Sequence, residues 1–405
     1  MSNSDIGLIG LGTMGAMLAL NIAENGFSVS VFNRTVTRTQ QFYRDAGALA
    51  AQITPTESLE ALVGSLAEPR AIILMVPAGK IVDEQIALLR RLLGRNDLII
   101  DAGNANFRDT DRRAADAVRD GVPFLGVGVS GGAEGARFGP SIMGGGPRDS
   151  WRQIAPILEA ISAKYRGKPC ATWMGDCGAG HFVKTVHNGI EYAYMQMIAE
   201  VYGILRDGMN KSANDCAGIF RNWNTGALQS YLIEISGEVS AAKDGATGQP
   251  VLDIILDRAG QKGTGRWTAI EAQHLGAPIP VIEAAVAARN ISAALDVRKA
   301  GEALFGAAPQ ALVNDPPGPD DLEGALIAGK IMCYAQGFAL LTAASESFDW
   351  ALPMPDIAEV WREGCIIRSA MLNDMASALS DAPDTNLMFA PFFADLMRRR
   401  MISRR

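Results

Sequence analysis

Gly10-Leu11-Gly12-Thr13-Met14-Gly15, set directly behind the apolar run Ile6–Ile9 and opening an amphipathic stretch over 14–24, decides how the first part of this chain is read. A strand running into a glycine-rich turn and then a helix needs each glycine for a different reason. The first permits the tight turn, the second lets a pyrophosphate approach the backbone, and the third allows close packing of helix on strand. The helix start adds unpaired N–H groups and the positive end of its dipole, which together favour phosphate. On its own a GxGxxG string is a weak signal. With a strand before it and a helix after it, it reads as a dinucleotide-binding loop.

Outward from this loop the same alternation continues. Further short apolar runs lie at Val29–Phe32, 71–76, Leu98–Asp101 and Phe124–Val129, rich in consecutive aliphatic residues as strands buried on both faces should be. Amphipathic stretches such as 81–93 lie between them, and Gly26 stops the first helix before the second strand. This is the pattern of βαβ units and a parallel sheet. Beyond about Gly180 the strand signal ends. Helical stretches follow at 181–205, 214–223, 225–240, 280–304 and 322–347, interrupted at 245–250 and at Asn314-Asp315-Pro316-Pro317-Gly318-Pro319. The expected architecture is an α/β Rossmann dinucleotide-binding domain over 1–178, followed by a large all-α domain over 179–405 for substrate and dimerisation. A faint echo relates Lys184 and Phe220-Arg221-Asn222-Trp223 to Lys330 and Trp361-Arg362-Glu363-Gly364.

Composition narrows the function classes. The chain has 405 residues, 48% hydrophobic and 20% charged, enough for two or three ordinary domains. A net charge of −7 argues against a protein that coats nucleic acid, while leaving room for a local basic pocket that takes a small anion. The five cysteines form no C-x-x-C pair, which points to thiols in a reducing compartment rather than a disulfide framework. No signal-peptide pattern and no apolar stretch of membrane-spanning length are evident, so a cytoplasmic protein without a membrane partner is expected. Three histidines without ligand spacing give no reason to expect a metal.

Cofactor choice is read where the second strand ends. An acid there binds the ribose 2′-hydroxyl of NAD, whereas this chain carries Asn33-Arg34-Thr35. A guanidinium grips a 2′-phosphate that a carboxylate would repel, so NADP is favoured.

The richest stretch is Gly180-His181-Phe182-Val183-Lys184-Thr185-Val186-His187-Asn188-Gly189-Ile190-Glu191-Tyr192. Lys184, His187, Asn188, Glu191 and Tyr192 fall at i, i+3, i+4, i+7 and i+8, one face of a helix. Phe182, Val183, Val186 and Ile190 point elsewhere, to pack the helix. Polar stripes are usually solvated faces, but one offering a base, an acid and an amide within two turns suits an active site better.

With these residues in view, the chain resembles the decarboxylating 6-phosphogluconate dehydrogenases. Matching strings include Asn33-Arg34-Thr35-Val36, Asp101-Ala102-Gly103-Asn104 and Ser130-Gly131-Gly132-Ala133-Glu134-Gly135-Ala136-Arg137, then the lysine helix. Gly260-Gln261-Lys262-Gly263-Thr264-Gly265-Arg266-Trp267-Thr268 and Gly364-Cys365-Ile366-Ile367-Arg368-Ser369 extend the likeness over nearly the whole length. The Lys262 segment separates this family from other β-hydroxyacid dehydrogenases. The resemblance implies oxidation of 6-phosphogluconate at C3, loss of CO2 and release of ribulose 5-phosphate, a step of the pentose phosphate pathway, by a homodimer using NADP. It implies Lys184 as the base at the C3 hydroxyl and Glu191 as the acid that protonates C1. Gly10 to Gly15, Asn33 to Thr35, Val76, Pro77, Ala78 and Asn104 would hold the cofactor. Asn104, Ser130, Gly131, Gly132, His187 and Asn188 would hold the carboxylate end and hydroxyls of the substrate, and Tyr192, Lys262 and Arg289 its phosphate. His181 and His274 are left as structural residues.

Two departures stand out. Pro77 occupies a place where some members carry a lysine. Longer members continue past Arg398-Arg399-Arg400 with a tail that lends an arginine and a histidine to the partner's pocket, and no counterpart is found before Arg405. Loss of one such arginine would cost about 1.5–3 kcal/mol of substrate binding. The alternative readings are therefore a C-terminally truncated, catalytically impaired form that binds NADP or sugar phosphate, or a dehydrogenase for a related hydroxy acid.

Overall fold

The computed structural model describes residues 3–261, 263–307, 317–383 and 385–402. The chain forms two compact units, Met1–Thr185 with Phe348–Ile366, and Val186–Ser347 with Ile367–Arg405.

The first unit is built on an eight-stranded sheet: β1 (Ile6–Ile9), β2 (Val29–Phe32), β3 (Ile53–Pro55), β4 (Ala71–Leu74), β5 (Leu98–Asp101), β6 (Phe124–Val129), β7 (Ile142–Gly145) and β8 (Ala171–Gly175). Their order is β8-β7-β6-β5-β4-β1-β2-β3. β1 lies between β2 and β4, so the crossover places the glycine turn at the switch point of the sheet. The five strands expected from sequence are present, and β4 ends two residues early. Three more appear. The expected parallel sheet is in fact mixed, because β7 runs antiparallel to β6. β7 is Ile-Met-Gly-Gly, with little side chain to betray a strand, and its glycine serves packing: a Cβ on Gly144 would stand 2.2 Å from the Trp151 ring. The segment Phe348–Ile366 returns to this unit. Trp361 is fully buried there with Nε1 on Met143 Sδ, and the rings of Phe348 and Trp350 pack tilted or edge-on against Phe107 and Phe182.

The helices that matter for function are α1 (Thr13–Glu24), α2 (Phe107–Asp120), α3 (Ala179–Gly203), α4 (Ala213–Trp223), α5 (Tyr231–Ala241), α6 (Thr264–Leu275), α7 (Pro280–Ala293), α8 (Leu295–Phe305) and α9 (Pro319–Ser347). α3 starts in the first unit and ends in the second. Its apolar residues Phe182, Val183, Val186 and Ile190 are wholly buried. In the second unit glycines bring α9 close to α3: a Cβ on Gly337 would lie 2.5 Å from Ile190 Cδ1, and one on Gly329 2.3 Å from Met197 Sδ.

Three expectations need correction. The helix expected over 225–240 begins only at Tyr231, because Ser230 is extended and bridges Ser369 while its N–H donates to Asn224 Oδ1. The stretch 280–304 is two helices, parted where Ala294 adopts ψ 49°. Finally, α9 is long and apolar enough to cross a membrane by composition, contrary to the expectation that no such stretch exists. Its most apolar window is 72% buried within the protein, as befits a core helix. Asn314, Asp315 and Pro316 of the proline-rich break lie outside the described residues, as does Lys262, while Pro319 opens α9.

Candidate active site

In the first unit the glycine loop is shaped as its sequence requires. Gly10 has φ 102°, and a Cβ there would stand 2.4 Å from Met75 O; one on Gly15 would stand 1.9 Å from Gly10 O. Gly12 differs. It is exposed, its φ of −65° suits any residue, and a Cβ would meet nothing within 4 Å. The fold has no use for a glycine at this position, so the space it leaves suits something other than protein. Leu11 is buried and donates its N–H to Asn33 Oδ1 at 3.1 Å, tying the loop to the end of β2. Thr13 and the half-buried Met14 open α1.

Asn33 therefore faces inward as a brace, with its own N–H on Thr39 Oγ1, while Arg34 and Thr35 are exposed. Among the described residues Arg34 has no ion-pair partner. Val76, Pro77 and Ala78 follow β4, and the exposed Asn104 follows β5. Ser130, Gly131 and Gly132 follow β6. All lie beyond the carboxyl ends of parallel strands, where α/β sheets bind their ligands.

Lys184 is 6% exposed and its Nζ donates to Ser130 Oγ at 3.2 Å. Ser130 is itself fixed, its N–H on Ser141 O. Gly131 has φ 103°, and a Cβ there would lie 2.5 Å from Gly364 O, so glycine is obligatory. The helix Gly132–Phe138 then begins, with first-turn N–H groups that have no partner within the helix.

The second unit carries the rest of the polar stripe. His187 is fully buried, with Nδ1 3.0 Å from Asn188 Oδ1 and 3.8 Å from Glu191 Oε2. Asn188 Nδ2 donates to Thr264 Oγ1 at 2.5 Å, a link to the first residue of α6 that the sequence did not single out. Tyr192 lies flat under the Arg289 guanidinium, 3.8 Å from ring centroid to Cζ, and Arg289 Nη1 donates to Gly260 O at 2.8 Å. A Cβ on Gly265 would lie 2.5 Å from the Tyr192 ring, so this glycine makes room for it. Tyr192, Arg289 and the Gly260 backbone thus meet, whereas Lys262 lies outside the described residues.

Because α3 is one unbroken helix, Lys184 and Glu191 sit seven residues apart on one face. The stripe is not a solvated face: Lys184, His187 and Tyr192 are buried, and Asn188 and Glu191 are half-buried.

Residues 5–175 match the family model for the NAD binding domain of 6-phosphogluconate dehydrogenase, and residues 180–405 that for its C-terminal domain. The chain belongs to the 6-phosphogluconate dehydrogenase family. It is 46% identical, over 98% of its length and 85% of the relative's, to the NADP(+)-dependent, decarboxylating 6-phosphogluconate dehydrogenase of Bacillus subtilis. A second B. subtilis family member, named as NAD(+)-dependent, is 45% identical over 98% of this chain and 84% of its own. Among solved structures, the 6-phosphogluconate dehydrogenase of Plasmodium falciparum superposes with a TM-score of 0.93 at 39% identity, covering 98% of this chain and 86% of that one. That enzyme was solved alone, with its cofactor NADP+ and with its substrate 6-phosphogluconate. Family members thus use nicotinamide dinucleotides of both kinds, and the Gly12 cradle fits such a cofactor.

Proposed function

We propose that this protein oxidises and decarboxylates 6-phosphogluconate to ribulose 5-phosphate and CO2, using NADP. The observation that carries the reading is the polar face of α3, which offers a buried amine held on Ser130 and a carboxylate two turns further on.

The dinucleotide would be held by the N–H groups of Gly10 to Gly15 and the start of α1, with Val76, Pro77, Ala78 and Asn104 beside it and Arg34 and Thr35 on the 2′-phosphate. When bound it accepts a hydride from substrate C3. Lys184, in its neutral form, takes the proton of the C3 hydroxyl as that hydride leaves. The product is a 3-keto acid, whose ketone accepts the electron pair released when the carboxylate departs as CO2. Lys184, now protonated, donates to the developing enolate oxygen, and Glu191 protonates C1 of the enediol as the enol proton returns to Lys184. Ser130, Gly131 and Gly132 offer donors to the departing carboxylate, and His187, Asn188 and Asn104 to the hydroxyls. Tyr192, Arg289 and Lys262 take the far phosphate, where a guanidinium stacked on a ring is already oriented.

The test is turnover followed by absorbance of the reduced cofactor. Lys184→Met should abolish it, a loss of at least about 10³-fold for a missing general base, while leaving dinucleotide affinity unchanged. Near-wild-type turnover in that variant would refute the assignment.

A further inference from the structure

His181 is one helical turn before Lys184, is 1% exposed, and takes no part in the chemistry above. Its surroundings in the first unit are closely specified. Nδ1 is hydrogen-bonded to Thr110 Oγ1 of α2 at 2.8 Å. The ring lies against Gly126 of β6, where a Cβ would stand 2.8 Å from Nδ1 and 2.4 Å from Thr110 Cγ2. Two residues along the same strand, a Cβ on Gly128 would stand 2.5 Å from Lys184 Cβ. Ser130, just past the end of β6, receives Lys184 Nζ.

Residues 126 and 128 share one face of β6, Ser130 follows just past its end, and 181 and 184 share one face of α3, so the helix face meets the strand face at two successive places. Gly126 thus accepts the histidine ring, Gly128 the lysine stem and Ser130 its tip. Gly180 completes the seat, since a Cβ there would stand 2.5–2.7 Å from Met143 O, Gly145 N and Gly126 O. Burial lowers the His181 pKa; the buried Asp101 and Arg113, paired at 3.3 Å, act on the ring in opposite senses. The ring is therefore neutral at physiological pH and acts by shape and hydrogen bonding.

We propose that His181 is a positioning residue for Lys184: through Thr110 and the glycine seat on β6 it fixes the rotation and depth of the first turn of α3, and so the place of the Lys184 amine. This inference rests on the assignment of Lys184 as the base.

The experiment compares His181→Phe, His181→Asn, Thr110→Val and Lys184→Met in the full chain. It records kcat and KM for 6-phosphogluconate against pH, dinucleotide Kd by fluorescence, and Tm. Thr110→Val keeps the side-chain shape and removes only the hydroxyl, so a folded variant is available even if His181→Phe misfolds. The expected result is a fall in kcat of roughly 10- to 100-fold in Thr110→Val and His181→Phe, the usual effect of a small misplacement. The acidic limb of the kcat profile should move by about half a pH unit or more, with dinucleotide Kd within about twofold of wild type. Asn places an amide near the Nδ1 position, so His181→Asn should recover most of the loss. Wild-type kcat and an unmoved acidic limb in Thr110→Val would overturn the inference, as would a loss of turnover that merely follows a loss of dinucleotide affinity. If Lys184→Met is dead while the other variants behave as wild type, the positioning role alone fails. If Lys184→Met is active, the base assignment fails first.

Discussion

A lysine and an arginine show how differently a cation can be placed. Lys330 is buried completely on α9, with the Leu228 carbonyl at 3.5 Å and the Tyr194 ring at 5.3 Å from its amine. Burial pulls its pKa from 10.5 down to about 7. In the unfolded chain the amine stays protonated up to about pH 10.5, so between pH 7 and 10.5 the unfolded state binds more protons and stability rises with pH. At and below pH 7 the folded protein bears the cost of a buried charge. Lys330→Met should therefore stabilise the protein near pH 7 by at least about 1 kcal/mol, and the advantage should shrink by pH 9.5. Urea unfolding at both pH values checks this, and an equal difference at each would contradict it. Arg34 is the opposite case, exposed and free to meet a ligand. Arg34→Ala should lower kcat/KM for NADP by roughly 10- to 100-fold, the worth of a charge-assisted hydrogen bond, and leave that for NAD almost unchanged. The sequence singles out Arg34 because its place after a strand has a known meaning. It labelled His181 as structural, since nothing in a string of letters tells which strand will face a helix.

The glycine turn separates fold from ligand within one element. Gly15 is needed by the fold, because any side chain there collides with the Gly10 carbonyl, whereas Gly12 borders open space. Gly12→Ala should keep Tm within about 2 °C, as surface substitutions do, while weakening dinucleotide binding by about tenfold or more through lost backbone approach. Gly15→Ala should lose both binding and stability. Dinucleotide titration and thermal melts distinguish the two, and equal behaviour would show that the loop is purely a turn. Strands β1, β2, β5 and β6 were legible with their ends because short apolar runs between turn residues suit strands buried on both faces. β7 was not, since two of its four residues have no side chain, and β3 is three residues long. The corrected helices have the same origin: the stop at Ala294 follows from backbone dihedrals that no residue type there requires.

At the scale of the molecule, the alternation of patterns located the change from sheet to helix, but not the route of the chain. The first unit is discontinuous. Phe348–Ile366 supplies Trp361 to its core, the Val360 carbonyl to Ser141 Oγ at 2.8 Å, and the Gly364 carbonyl to Ser141 N at 2.9 Å. That segment has no periodicity of its own to announce the return. A fragment of residues 1–185 should accordingly be markedly destabilised, since losing a buried tryptophan alone costs about 3–5 kcal/mol. Expression of the fragment and its melting by circular dichroism check this, and a cooperative melt near that of the full chain would refute it. The same route orders events on the ribosome. The nucleotide-binding half cannot complete its core when its own sheet has been synthesised; the bed around Met143 stays uncovered until Phe348–Ile366 emerges behind the whole of Val186–Ser347.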